Sequence, residues 1–207
     1  MMPEVEHHHH HHPTGHRRLD LILPICALFV SVVSLVLAII HGQAMERMAD
    51  ANTRLVQAQS WPFLEYSTGD IDEGRQEIEL RVGNVGVGPA KLRTVELFWR
   101  GQPMPNHTAL LQRCCGAGRI MPPGLFINQI GNRVLPARDT ESFISLRGTD
   151  ANAAVWTRLD TERLNVSTRI CYCSVFDECW VATLNMQAPT TQRAVKRCPV
   201  PAAPYTG

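Results

Sequence analysis

The residues best suited to chemistry are three closely spaced cysteines, Cys171, Cys173 and Cys179. Thiolates at such spacing can bind a soft metal such as Cu(I) or Zn(II), and they can also form disulfides. One residue separates Cys171 from Cys173 in a segment whose pattern predicts a strand, so both side chains lie on one face, about 6.5–7 Å apart. This geometry favours separate disulfides over one compact metal site.

A hairpin is predicted around these cysteines, because alternation along Val166–Ser174 and Cys179–Leu184 is typical of paired strands. Cys173 and Cys179 are candidates for directly opposite positions, where Cβ atoms are about 4.5–5.5 Å apart. A disulfide needs about 3.5–4.5 Å, which closely opposed pairs can approach. The sequence therefore predicts a Cys173–Cys179 disulfide.

The remaining cysteines of the domain leave the other pairings open. Six of the seven cysteines follow the apolar segment described below, and an even number is typical of a domain in an oxidising compartment. With Cys173 and Cys179 joined, Cys171 is expected to reach Cys114 or Cys115, a longer-range link. Cys198 has no assigned partner.

Histidine is the most frequent general acid or base in enzymes, and only His41 and His107 follow the apolar segment. His107 and Cys114 lie on one predicted helix, but seven residues separate them by about 10.5 Å, far beyond hydrogen-bond reach. The sequence has no GxSxG or HExxH motif. We therefore expect neither enzymatic activity nor a cofactor.

Two binding functions are also disfavoured. The glycine-rich segment 83–90 lacks the lysine of a phosphate-binding loop and is followed by no helix signal. Its glycines and Pro89 instead predict a turn with positive φ angles. A net charge of +1 with scattered basic residues argues against nucleic-acid binding.

One segment is long and apolar enough to cross a membrane. Leu21–Ile40 carries no charge, and about 20 residues at 1.5 Å each span the hydrocarbon core of about 30 Å. A cleaved signal peptide is the alternative, but its apolar region usually has only about 7–15 residues. We predict an uncleaved transmembrane helix over residues 19–41, in contact with membrane lipid.

Orientation follows from the basic residues near this helix. Arg17 and Arg18 abut its N-terminal end, whereas Arg47 and Arg54 follow at a greater distance on the other side. The expected topology is an N-terminus in the cytoplasm, a single pass through the bacterial inner membrane, and a periplasmic or extracellular domain. The cysteine distribution favours the same topology.

The chain is predicted to consist of five segments, of which the membrane helix, residues 19–41, is the second. Residues 1–18 form a cytoplasmic segment whose histidines, His7 to His12, are a purification tag or a native low-complexity tract. After the membrane helix, residues 42–60 have the composition of a helical stalk that ends before Trp61-Pro62. Residues 61–186 have the length of one β-rich domain. The Pro-rich residues 187–207 are expected to be disordered.

Period-two alternation and helix signals predict the elements of the domain. Strands are expected where aliphatic and polar residues alternate, and helices where apolar residues recur at helical spacing or a capping residue precedes them. The predicted strands before the last hairpin are Glu77–Val85, Lys91–Trp99, Leu125–Ile130 and Ser142–Leu146. The predicted helices are Asn106–Cys115, with Asn106 as N-cap and Gly116 as the stop, and Asp150–Leu164.

The strand IELRVGN, the turn VGVGPA and the strand KLRTVELFWRG resemble a group of uncharacterised bacterial envelope proteins. In those proteins a single membrane helix precedes an immunoglobulin-like domain. The resemblance covers about residues 61–101 and implies an immunoglobulin-like sandwich with two short helices. It implies no catalytic residue, because the motif serves chain reversal.

These observations lead to two expectations about function. The first is a membrane-anchored, non-catalytic envelope protein whose domain presents a sheet face or edge to an envelope partner. The alternative is a periplasmic protein that handles copper or zinc through its thiols.

Overall fold

The computed structural model describes residues 17–72 and 75–206, and the chain divides into two compact units between Arg54 and Leu55. Helix α1 (Arg17–Ala58) accounts for the described part of the first unit. It is the one described helix that is long and apolar enough to span a membrane, with a mean hydropathy of 2.8 over its most apolar 18 residues and no burial of that stretch. The predicted membrane helix and the predicted stalk are therefore continuous helix.

The second unit is mostly β. Its strands are β1 (Leu64–Asp72), β2 (Arg75–Asn84), β3 (Ala90–Trp99), β4 (Gln102–Met104), β5 (Leu125–Ile127), β6 (Val134–Leu135), β7 (Thr140–Arg147), β8 (Val166–Cys173), β9 (Cys179–Asn185) and β10 (Thr191–Val195). Its helices are α2 (His107–Cys115) and α3 (Ala153–Glu162), and a 3₁₀ turn (Arg163–Asn165) follows α3.

The strands form two antiparallel sheets. The first sheet has the order β1-β2-β7-β5, and the second has the order β10-β9-β8-β3-β4, with β6 also paired to β3. One hydrophobic cluster takes buried side chains from both sheets and from α2 and α3. Burial alternates at the start of β1 and of β8, as it does where one face of a sheet contacts a core. The prediction of one β-rich domain with two short helices is confirmed.

The first short helix has the predicted caps. The side chain of Asn106 accepts a hydrogen bond of 2.8 Å from the backbone N–H of Ala109, and Gly116 ends the helix with a φ of 69°. The second helix begins at Ala153, three residues later than predicted, because Asp150–Asn152 form a turn in which the Asn152 side chain accepts from the backbone N–H of Thr149.

The glycine-rich segment between β2 and β3 is a sheet-to-sheet connection, and the predicted positive φ angles are wrong. Among the described glycines, positive φ occurs at Gly101, Gly116 and Gly124. Gly86 and Gly88 serve close approach instead: an added Cβ would overlap the backbone of the segment that precedes β1.

Asn84 holds this connection in place from a fully buried position. Its Oδ1 accepts hydrogen bonds from the backbone N–H groups of Phe63 (3.2 Å) and Gly86 (3.1 Å). Its Nδ2 donates to the carbonyl oxygens of Gly88 (2.8 Å), Leu135 (3.2 Å) and Pro136 (3.0 Å). One side chain thus joins three chain segments that are distant in sequence.

The expectation of a disordered tail over residues 187–207 is wrong for the described part. Strand β10 pairs with β9 from Thr191 to Val195. Farther on, the backbone N–H of Ala203 donates to Oε1 of the buried Glu96 (3.1 Å), and Tyr205 is buried, with its N–H donating to the Val95 carbonyl (2.8 Å). Proline-rich composition prevents helices, but it does not prevent a segment from docking on a sheet.

Candidate functional site

Strands β8 and β9 bring the first cysteine pair together. Cys173 lies directly opposite Cys179 in the antiparallel register. Their Cα atoms are 4.0 Å apart, and the two sulfurs form a disulfide. The structure thus places the two predicted partners in the predicted bond, next to the turn that joins β8 to β9.

The expected link from Cys171 to Cys114 or Cys115 is wrong. Cys171 pairs with Cys198, with their Cα atoms 5.7 Å apart. Its neighbours Ile170 and Tyr172 belong to the core cluster, whereas Cys171 does not. In a strand, side chains alternate between faces, so Cys171 lies on the outer face of the second sheet, where the C-terminal segment covers it.

The other two cysteines form a disulfide between consecutive residues, Cys114 and Cys115, at the end of α2. Cys115 is a member of the core cluster, and Cys114 packs against that cluster. The second sheet therefore separates this pair from Cys171. Cys26, in α1, is the one free thiol among the described residues.

The cysteine cluster, which we define as Cys171, Cys173, Cys179 and Cys198, is more compact than its two separate bonds require. The sulfur of Cys173 lies 3.9 Å from the sulfur of Cys198, although these two are not bonded to each other. The sulfurs of Cys173, Cys179 and Cys198 all lie within 4.8 Å of one another. Two disulfides thus lie side by side, at contact distance.

The turn that joins β8 to β9 is held by local hydrogen bonds. The buried Ser174 hydroxyl accepts from the backbone N–H groups of Phe176 (3.2 Å) and Glu178 (3.3 Å). The Ser174 N–H donates to the Glu178 carbonyl (2.8 Å), and Asp177 has a φ of 60°. These hydrogen bonds keep Cys173 and Cys179 in register independently of the disulfide between them.

Basic side chains surround the exposed side of the cluster. A surface cavity of about 360 Å³ is lined by three of the cluster cysteines together with Arg93, Lys196, Arg197 and Asp177. The Asp177 carboxylate accepts a hydrogen bond of 2.7 Å from Lys91 Nζ. That bond and the charge of Lys91 lower the pKa of Asp177. The carboxylate therefore stays ionised and paired with Lys91, and Arg93 Nη2 lies 3.9 Å from the same carboxylate. Three basic residues and one acidic residue line this cavity.

This environment fits thiol chemistry better than cation binding. Lysine and arginine beside a cysteine favour its thiolate form, which is the nucleophile in disulfide exchange. The sulfurs of Cys173, Cys179 and Cys198 are close enough to share one soft metal, but each is tied up in a disulfide. Metal binding would require reduction of both bridges.

A Cys–His catalytic pair is not in place. Cys114, the thiol considered for it, is bonded to Cys115. His107 begins α2, and its Nδ1 is buried without a hydrogen-bond partner in the described part of the chain. Burial lowers the pKa of His107, which favours a neutral ring.

The glycine-rich connection offers no cradle for a phosphate. Its N–H groups are already used, because Gly86 donates to Asn84, and Val87 and Gly88 both donate to the carbonyl of Trp61. Backbone N–H groups that cradle a phosphate must face the ligand.

Sequence reasoning missed the participation of Cys198. The even number of cysteines in the domain was the available signal. If Cys173 pairs with Cys179, and Cys114 pairs with Cys115, then Cys198 is the remaining partner for Cys171. Consecutive cysteines are rarely considered as partners, because their Cα atoms, here 3.7 Å apart, are closer than in most disulfides.

No protein-family model matches the chain, and no curated protein matches its sequence.

Proposed function

We propose that the chain is a single-pass membrane protein that holds one immunoglobulin-like domain outside the cytoplasm, where the domain acts as a non-catalytic interaction module. The observation that carries this proposal is the uniformly exposed apolar surface of α1 next in sequence to a disulfide-bonded β domain. A helix that is apolar on all sides is stable when lipid surrounds it.

The strand order supports an immunoglobulin-like assignment. In constant-type immunoglobulin domains, strands A-B-E-D form one sheet and G-F-C form the other. Here β1-β2-β7-β5 correspond to A-B-E-D, and β9-β8-β3 correspond to G-F-C. Strand β10 and the short β4 and β6 extend the second sheet. The order also fits the resemblance to single-pass bacterial envelope proteins.

Placement of the domain outside the cytoplasm rests on two independent features. Disulfides persist in oxidising compartments, and six cysteines of this domain are bonded. The adjacent Arg17 and Arg18 favour a cytoplasmic N-terminus at the inner membrane. Protease added to spheroplasts should then digest the region after Ser60, and full protection of that region would reverse the topology.

The anchor is tested by substitutions on one face of α1. Arginine at Phe29, Val33 and Leu37 together should release the chain from membranes into the alkaline-carbonate supernatant. An arginine costs up to about 2.5–3.5 kcal/mol at the helix centre, so three cost up to about 7.5–10.5 kcal/mol. Leucine at Phe29 and Val33, with Leu37 unchanged, is the control and should leave the chain in the pellet. Release of neither variant would argue against α1 as the anchor.

A sheet edge of the domain supports the interaction role. Strand β5 ends the first sheet, and its Phe126 side chain is 56% exposed, while Ile120, in the preceding loop, is 90% exposed. Exposed apolar groups beside an open strand edge are typical of protein contacts. A photo-crosslinking residue at Phe126 should give a discrete adduct in native membranes. The same residue at the exposed Thr191, on β10 at an edge of the second sheet, should not.

The alternative, thiol-based metal handling, is favoured by the close approach of Cys173, Cys179 and Cys198. It is tested by metal analysis of protein that lacks the histidine run and has been purified with and without a reductant. Stoichiometric copper or zinc in the reduced sample alone would support a metal site that depends on reduction. Absence of metal from both samples would contradict the metal-handling alternative.

A further inference from the structure

The geometry points to a thiol–disulfide exchange site at the cysteine cluster, through which reducing equivalents from a dithiol pass between the two bridges. The inference does not depend on the interaction role proposed above, because it concerns reactions among sulfurs of the purified chain. It starts from the contact of 3.9 Å between Cys173 and Cys198, which belong to different disulfides.

The exchange step conserves atoms and electrons. A dithiol first reduces the Cys171–Cys198 bridge, which it reaches at Cys198, and is itself oxidised to a disulfide, so that two electrons and two protons reach Cys171 and Cys198. Cys198 then loses its proton, and its thiolate attacks the sulfur of Cys173. A Cys173–Cys198 bond forms, the Cys173–Cys179 bond breaks, and Cys179 leaves as a thiolate that takes up a proton.

The site has the features that such a reaction needs. The attacking and accepting sulfurs are already in contact, so the step requires no large backbone movement. Arg93, Lys196 and Arg197 line the cavity beside them and favour thiolates. Cys198 is partly exposed, whereas Cys171, Cys173 and Cys179 are only 2%, 3% and 8% exposed, so an external thiol reaches the cluster most readily at Cys198.

The C-terminal segment is the element that moves with the redox state. Cys198 is bonded to Cys171 in one isomer and to Cys173 in the other, and the two lie two residues apart on the same face of β8. Exchange therefore shifts the attachment point of the C-terminal segment along the strand. The pairing of β10 with β9 keeps this segment near the cluster throughout.

Two matched variants test the inference, both in a Cys26→Ser background that removes the free thiol of α1. Cys171→Ser leaves Cys198 as a thiol 3.9 Å from Cys173, so attack on the Cys173–Cys179 bridge can release Cys179. Cys198→Ser breaks the same bridge but leaves the thiol on Cys171, whose same-face neighbour Cys173 lies about 6.5–7 Å along the strand. The full chains are incubated in detergent without oxidant and alkylated, and the label is located by peptide mapping.

The expected result differs between the two variants. In Cys171→Ser the label should be shared between Cys198 and Cys179. At least about one tenth should be on Cys179, which is the share expected if the equilibrium favours the Cys173–Cys179 bridge tenfold over the Cys173–Cys198 bridge. In Cys198→Ser the label should stay on Cys171. Label confined to Cys198 in the first variant would overturn the inference. Equal spreading in both variants would also overturn it, because the contact would then not direct the reaction.

Wild-type protein provides a second measurement that does not depend on the folding of a variant. After treatment with a limiting amount of dithiothreitol and rapid alkylation, a peptide linked through Cys173 and Cys198 should be recovered. Recovery of only the two original bridges and their reduced cysteines would overturn the exchange site.

Discussion

Replacement of Asn84 by alanine should destabilise the domain far more than the loss of one ordinary side-chain hydrogen bond. The Asn84 side chain is fully buried and is the acceptor for the N–H groups of Phe63 and Gly86. A buried donor that loses its partner costs about 1–3 kcal/mol. Two such donors predict a loss of about 2–6 kcal/mol in the free energy of unfolding.

The matched control is Asn128→Ala, which removes the same atoms from an exposed side chain. Asn128 donates one hydrogen bond, of 2.9 Å, to the carbonyl of Ser142. Its loss should cost only about 0.5–1.5 kcal/mol, the net value of one ordinary hydrogen bond. Urea unfolding of the full chain in a nonionic detergent, followed by tryptophan fluorescence, measures both values.

A second substitution separates the two halves of the Asn84 side chain. Asn84→Asp keeps an acceptor for the two N–H groups but faces the carbonyls of Gly88, Leu135 and Pro136 with an oxygen in place of the Nδ2 donor. Since only the protonated carboxyl can donate to these carbonyls, the folded state favours protonation and raises the pKa of the new group. Stability of this variant should therefore fall as pH rises above about 4, the ordinary aspartate value.

The central role of Asn84 would be refuted by a simple result. If Asn84→Ala and Asn128→Ala have the same free energy of unfolding within about 0.5 kcal/mol, the error expected from effects on the unfolded state, the buried hydrogen bonds do not hold the connection. A pH-independent Asn84→Asp variant would contradict the proposed donor contacts in particular.

Three further predictions concern neighbouring features. Gly88→Ala should destabilise the domain by about 1–3 kcal/mol or more because its Cβ would overlap the backbone of the preceding segment, whereas Gly118→Ala, with open space around it, should be tolerated in urea unfolding. Because the pKa of His107 is lowered in the folded state, the unfolded chain binds more protons than the folded chain near pH 6.5, and the free energy of unfolding decreases as pH falls through that value. His107→Gln should reduce this decrease, measured in unfolding curves between about pH 7 and 5. Glu96→Ala should speed hydrogen exchange at the Ala203 amide by removing its acceptor, and unchanged exchange would show that the C-terminal segment is held by other contacts.

Much of the local structure could be predicted from the sequence because its causes are local. The apolar run Leu21–Ile40 predicts a helix by composition and length alone. Asn106 and Gly116 mark the ends of α2 because a cap needs only the next few residues. The Cys173–Cys179 bridge could be predicted because a six-residue separation within one hairpin sets the register.

Other features depended on contacts between residues distant in sequence, and tertiary structure alone decided them. Alternation tells which residues share a face, but not which element covers that face, so the pairing of Cys171 with Cys198 could not be read from the pattern. Gly86 and Gly88 look like turn residues until the segment before β1 is placed against them. The C-terminal segment has a composition typical of disorder, yet a disulfide, strand pairing and the burial of Tyr205 hold it on the sheet. The composition of a segment indicates how much apolar surface it can bury by itself. Whether the segment packs on the domain depends also on the surface that the rest of the fold offers to it.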